Sequence, residues 1–72
     1  MNETLGRRIA NARKERGMTQ DQLAEKMGVS AQAVSKWEND QTCPDISLLP
    51  ALAKIFGVTV DELLSGKPET ET

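Results

Sequence analysis

The chain contains no histidine and no tyrosine, and cysteine, tryptophan and phenylalanine occur once each. Without a second cysteine no internal disulfide can form, and without histidine the usual zinc ligand sets are out of reach. Cys43, beside Pro44, is read as an incidental loop thiol, able to form only adventitious intermolecular disulfides. With Trp37 and Phe56 the sole aromatics, the 38% hydrophobic fraction rests on Leu, Ile, Val, Met and Ala, a composition suited to a helical core rather than a sandwich or barrel. No apolar run approaches the ~20 residues of a bilayer span, and the opening MNETLGRRIA lacks the apolar stretch of a signal peptide. A reducing, cytoplasmic setting with no membrane partner is expected. Catalytic groupings are missing as well: there is no Ser-His or Cys-His pair and no phosphate-cradling glycine loop. The chain is therefore read as a non-enzyme, with no catalytic or metal-ligating residues, no cofactor and no evident small-molecule ligand.

What is present is one small domain. Seventy-two residues lie near the lower limit at which a single apolar core is stable without disulfides or metal. The net charge of −2 and pI near 5.0 argue at first against a nucleic-acid partner. The total hides an asymmetry: residues 1–36 carry seven cations against four carboxylates (+3), and residues 37–72 two against seven (−5). Charge alone favours an ordinary solvated surface, since several of the cations can serve only to solubilise helices.

Periodicity predicts five helices and no strands. Leu5, Ile9 and Ala12 share one face of a first helix, from about Thr4 to Arg16, that stops at Gly17, with Arg13, Lys14 and Arg16 in its last turns. Thr19 and Gln22 have the spacing of a capping box opening a second helix to about Met27, with Met18 placed to staple onto Leu23. Gly28 supplies a left-handed stop, Val29 is set to staple onto Val34, and Ser30 caps a third helix running to about Asn39. Thr59 and Glu62 repeat the capping box for a short fifth helix, Val60 to Ser65, with Val58 facing Leu63. The fourth helix lies in TCPDISLLPALAKIFG. A cap at Ser47 is preferred to one at Asp45, because it places Pro50 in the first turn, where the missing N–H breaks no bond. Residues 1–66 form the expected domain, and KPETET, residues 67–72, is expected to be a disordered tail or linker.

Plotted at 100° per residue, helix three turns Val34 and Trp37 inward and gathers Gln32, Ser35, Lys36 and Asn39 on the opposite side. Most polar faces of surface helices do nothing. Here the polar helix follows a three-residue turn, and its small Ala31 and Ala33 let another surface approach closely. A helix so placed has the form that enters the DNA major groove. Glu38 plots about 40° from Val34, at the edge of the buried side, where a carboxylate needs a partner. Arg13, at the edge of the first helix's apolar stripe, is the candidate for a structural ion pair.

The run TQDQLAEKMGVSAQAVSKWEN, with Pro44, Leu52-Ala53 and FGVTVDELL at 56–64, resembles the phage-repressor-like Xre family of bacterial DNA-binding domains. The likeness extends from about Leu5 to Leu64. It implies an all-α, five-helix fold with a central helix-turn-helix that binds double-stranded operator DNA, usually as a homodimer, and regulates transcription. By position it implies that Thr19 and Gln20 grip phosphate at the start of helix two and that Ser30 caps the recognition helix beside phosphate. Ala31, Gln32, Ser35 and Lys36 take base-facing positions, Asn39 meets phosphate, and Arg13 pairs with Glu38. Gln32 suits adenine and Lys36 suits guanine O6 or N7, or either side chain lies along a phosphate.

Two departures matter. Many relatives carry glycine after Trp-Glu-Asn and basic residues in the next loop, whereas this chain reads DQTCPD. Backbone amides together with Gln41 and Thr42 are then expected to make the phosphate contacts, with weaker binding and a shallower salt dependence. No dimerisation or ligand-sensing domain follows Leu64, so either the fifth helix and its surroundings mediate dimerisation or the chain is the first domain of a longer protein. A sequence-specific regulator, as a repressor, is the leading expectation. A protein-interaction module on the same fold, such as an antirepressor or antitoxin subunit, is the alternative.

Overall fold

Gly17-Met18-Thr19, Gly28-Val29-Ser30 and Gly57-Val58-Thr59 are one connector used three times. In the computed structural model, which describes residues 4–65, each glycine is left-handed, at φ 71°, 74° and 73°. The hydrophobic residue after it returns an N–H to a carbonyl of the helix just ended: Met18 to Arg13, Val29 to Ala24 and Val58 to Ala53, over 2.9–3.0 Å. These bonds close carbonyls that a helix end leaves open. The third residue caps the next helix. Thr19 Oγ1 accepts from Gln22 N–H and Gln22 Oε1 accepts from Thr19 N–H; Thr59 and Glu62 do the same, and Ser30 Oγ accepts from Ala33 N–H. Stop, apolar anchor and start thus occupy three residues.

The elements are α1 Leu5–Glu15, α2 Gln20–Met27, α3 Ala31–Glu38, a 3₁₀ turn Ile46–Leu48, α4 Leu49–Phe56 and α5 Val60–Ser65, with no strand among the described residues. The expected tail at 67–72 lies outside those residues. Ile9, Leu23, Val34 and Leu52, one from each of α1 to α4, have no exposed surface, and Trp37, Phe56 and Leu63 complete the core around them. Each such side chain contributes about 1.5–3 kcal/mol by leaving water. No helix among the described residues is long and apolar enough to cross a membrane.

The start of α4 differs from the expectation. Ser47 does not cap α4, which begins behind Leu48 with no side-chain cap; Asp45 instead caps the 3₁₀ turn before it, its carboxylate accepting the Ser47 N–H at 3.1 Å and the Ser47 hydroxyl at 2.5 Å. The hydroxyl bond, then the amide bond, hold the Asp45 carboxyl below its ordinary pKa. The 3₁₀ turn takes up Ile46–Leu48, so Pro50 still falls in the first turn of α4. Pro50 therefore breaks no helical bond even with the earlier cap.

Two arginines of α1 and the arginine that follows it act as connectors. Arg8 donates to the carbonyls of Leu63, at 2.7 Å, and Leu64 at the end of α5. Arg16 donates to Phe56 O at 2.6 Å at the end of α4, and Arg13 to Met18 O at 2.7 Å before α2 begins. A guanidinium at a helix C-terminus satisfies open carbonyls and meets the negative end of the dipole. Much of the positive charge in the first half is thus structural.

Candidate nucleic-acid interface

The short connector leaves α2 and α3 no freedom to separate, and Val34 and Trp37, at 0% and 5% exposure, fix the roll of α3 on the core. That roll leaves Gln32, Lys36 and Asn39 exposed, with Ala31 and Ser35 half-buried beside them. Asn39 reaches back to Ser35 Oγ at 3.5 Å, so the C-terminal end of the stripe is tied to its middle.

Behind the stripe, Arg13 Nε and Nη2 meet the two oxygens of Glu38 at 2.6 and 3.1 Å. The side chains are 11% and 7% exposed. Gln20 Nε2 donates to the same carboxylate, reaching Oε1 at 3.0 Å. Burial pushes the Glu38 carboxyl up, but hydrogen bonds from Arg13 and Gln20, with the fields of Arg13 and Lys14, outweigh it and hold the group below its ordinary pKa. The Glu38 hydrogen bond correspondingly raises Arg13, against the opposing effect of burial. One carboxylate therefore joins α1, the start of α2 and the end of α3. The link from Gln20 was not evident from the sequence, because periodicity does not specify how α2 crosses α3.

Thr19 and Ser30 are exposed, and their hydroxyl oxygens accept the capping N–H bonds. Each hydroxyl keeps a proton to donate outward. Gln41 and Thr42 are exposed too, but their backbone amides turn inward, both donating to Lys36 O at 2.9 and 3.4 Å. The expectation that these amides grip phosphate is corrected: the turn closing α3 uses them, and only the side chains face outward. Asp40, where a glycine was noted in many relatives, is itself left-handed at φ 61°. Asp is among the few non-glycine residues that visit this region readily. Its carboxylate accepts the Thr4 hydroxyl at 2.8 Å. Gly6 allows that approach, since a Cβ there would run into the Trp37 carbonyl and the Asp40 carboxylate.

A tight α2–α3 pair, with one exposed polar stripe on a helix fixed from behind, defines a helix-turn-helix protein. The chain belongs to the phage-repressor-like helix-turn-helix family, whose helix-turn-helix model matches residues 9–63. It is 43% identical over 60 residues to the transcriptional activator BcrR of Enterococcus faecalis, covering 83% of this chain and 29% of that protein. It is 43% identical over 68 residues to the transcriptional regulator SinR of Bacillus licheniformis, covering 93% of this chain and 61% of that one. The P22 c2 repressor, solved in complex with a synthetic operator, superposes with a TM-score of 0.86 at 36% identity, over 92% of this chain and all of that one. The chain thus spans under two thirds of the length of both curated relatives.

Proposed function

We propose that the chain binds operator DNA sequence-specifically as the DNA-binding part of a bacterial or phage-type transcriptional regulator, acting as a repressor in the cytoplasm. The observation that carries this reading is the one-sided placement of α3, with Val34 and Trp37 buried and Gln32, Lys36 and Asn39 exposed. Ala31, Gln32, Ser35 and Lys36 face base edges in the major groove. Thr19, Gln20, Ser30 and Asn39, with the side chains of Gln41 and Thr42, hold phosphate. The regulator names of BcrR and SinR and the operator bound to the P22 c2 repressor support the reading. Two copies occupy a two-fold operator with half-site centres about 34 Å apart, and the chain performs no catalysis.

The test is selection from a pool of random duplexes, followed by sequencing of the retained fraction. Enriched palindromes are the expected result. Retention without sequence enrichment, or no retention, would sink the proposal and favour the protein-interaction alternative.

A further inference from the structure

A polar groove of about 340 Å³ runs between α1 and the C-terminal end of α3, lined by Arg7, Asn11 and Lys14 on one side and Glu38, Asn39 and Asp40 on the other. Arg7, Asn11 and Lys14 follow i, i+4, i+7 spacing, so they form a single stripe on the exposed side of α1, and the small Ala10 between them keeps the groove open. Arg7 and Lys14 are exposed and, unlike the three connecting arginines, donate to no carbonyl or carboxylate among the described residues. The Glu38 charge is already matched by Arg13, and the Asp40 carboxylate rests on the Thr4 hydroxyl at the start of α1. Arg7 and Lys14 thus hold no direct ion pair, although the Lys14 field reaches Glu38, and the groove carries more cationic charge than the Asp40 carboxylate offsets.

Asn39 belongs to both surfaces: it ends the exposed stripe of α3 and lines this groove. We propose that the groove is a seat for the DNA backbone outside the helix-turn-helix itself, in which Arg7 and Lys14 hold phosphates of the strand that passes the C-terminal end of α3. The proposal rests on the DNA-binding reading above. Seven residues of helix separate the two cations by ~10 Å along the axis, while one strand presents a phosphate about every 3.4 Å of duplex, so the stripe reaches more than one phosphate. The seat also supplies what the loop after α3 lacks, since DQTCPD has no cation and its first amides are turned inward. Asp40 opposes it from the α1 end.

The experiment measures affinity against salt for a random-sequence duplex and for a duplex retained from the random pool, using the wild type, Arg7→Gln, Lys14→Gln, the double variant and Lys26→Gln. Removing one cation from a phosphate should lower the slope of log K on log salt by about 0.9, and the double variant should lower it by about 1.8. Between 50 and 200 mM salt this is roughly a threefold smaller fall in affinity for each cation removed. Base preference should stay unchanged, because backbone contacts carry no sequence information directly. Lys26→Gln, in an exposed cation of α2 outside the groove, should keep the wild-type slope. Asp40→Asn, which tolerates the same left-handed backbone, should bind more tightly at low salt. Thermal unfolding checks that every variant is folded. A double variant with the wild-type slope would overturn the seat while leaving the DNA-binding reading intact. A wild type that holds neither duplex would overturn that reading, and the seat with it. Loss of binding to an acidic protein without change on DNA would assign the groove to a protein partner instead.

Discussion

Gln20, the first residue of α2, donates its side-chain N–H to Glu38, the last residue of α3, across 3.0 Å. The two helices are thus fastened at the end opposite their three-residue connector, and Arg13 braces the same carboxylate from α1. A carboxylate shared in this way sets the direction of α3 and therefore the aim of Gln32 and Lys36.

Removing the carboxylate tests the size of that effect. Breaking a buried ion pair typically costs ~3–5 kcal/mol, against about 1 kcal/mol or less for an exposed pair. With both side chains nearly buried, Glu38→Ala is expected near the lower end of the buried range. Gln20→Ala, which removes one hydrogen bond to a charged group, is expected to cost ~1.5 kcal/mol. Chemical denaturation decides, and a loss under about 0.5 kcal/mol for Glu38→Ala would rule out a buried pair.

The pH dependence has a definite sign. Hydrogen bonds and neighbouring cations hold the Glu38 carboxyl below its unfolded value, so the ionised form stabilises the fold above the ordinary glutamate pKa of about 4.3. That contribution fades as pH falls through the lower, folded value. Denaturation of wild type and Glu38→Gln from pH 7 to pH 2.5 should show the wild-type advantage nearly constant above pH 5 and shrinking below about pH 4.3. An advantage that grows toward acid would contradict the assignment.

Two glycines do different work. At Gly28 a Cβ would meet nothing within 4 Å, so Gly28→Ala bears only the backbone penalty of the left-handed region, ~1–2 kcal/mol. At Gly6 the new methyl would run into the Trp37 carbonyl and the Asp40 carboxylate, which hold the contact between α1 and the end of α3. Gly6→Ala should be the more damaging of the two. Equal midpoints in a denaturant titration would show that α1 can move away freely.

Helix starts and stops could be read from the sequence wherever one connector carries its own chemistry, as in Thr19 with Gln22 or Thr59 with Glu62, because both partners lie within four residues. The start of α4 could not be read this way. Asp45 and Ser47 both offer caps, and the choice depends on a 3₁₀ turn beside the buried Pro44, which local spacing does not encode. Arg13 and Glu38 each mark the edge of an apolar stripe, so periodicity makes both candidates for a partner at a buried margin, and the family likeness pairs them. Gln20 and Thr4 give no such signal: their partners lie 18 and 36 residues away, and only the packing of helices decides whom a glutamine or threonine meets.

Reading and gripping are separable by substitution. Gln32 and Lys36 lie one helical turn apart on the exposed side of α3, so a helix seated in the groove brings both to base edges, and truncation should relax preference at particular positions. A good bidentate contact carries ~1–3 kcal/mol of discrimination. Gln20 braces Glu38, and on the proposed function it also holds phosphate, so Gln20→Ala should weaken good and poor sequences by similar factors. Being uncharged, Gln20 releases no counterion by itself, and its removal should leave the salt slope nearly unchanged, whereas taking the Lys36 ammonium away from a phosphate lowers the slope by about 0.9. Affinities for an operator and its single-base variants, measured at several salt concentrations, distinguish the two roles. If Gln32→Ala and Lys36→Ala leave every base preference intact, α3 does not read the groove, and its polar stripe is better understood as a surface for a protein partner.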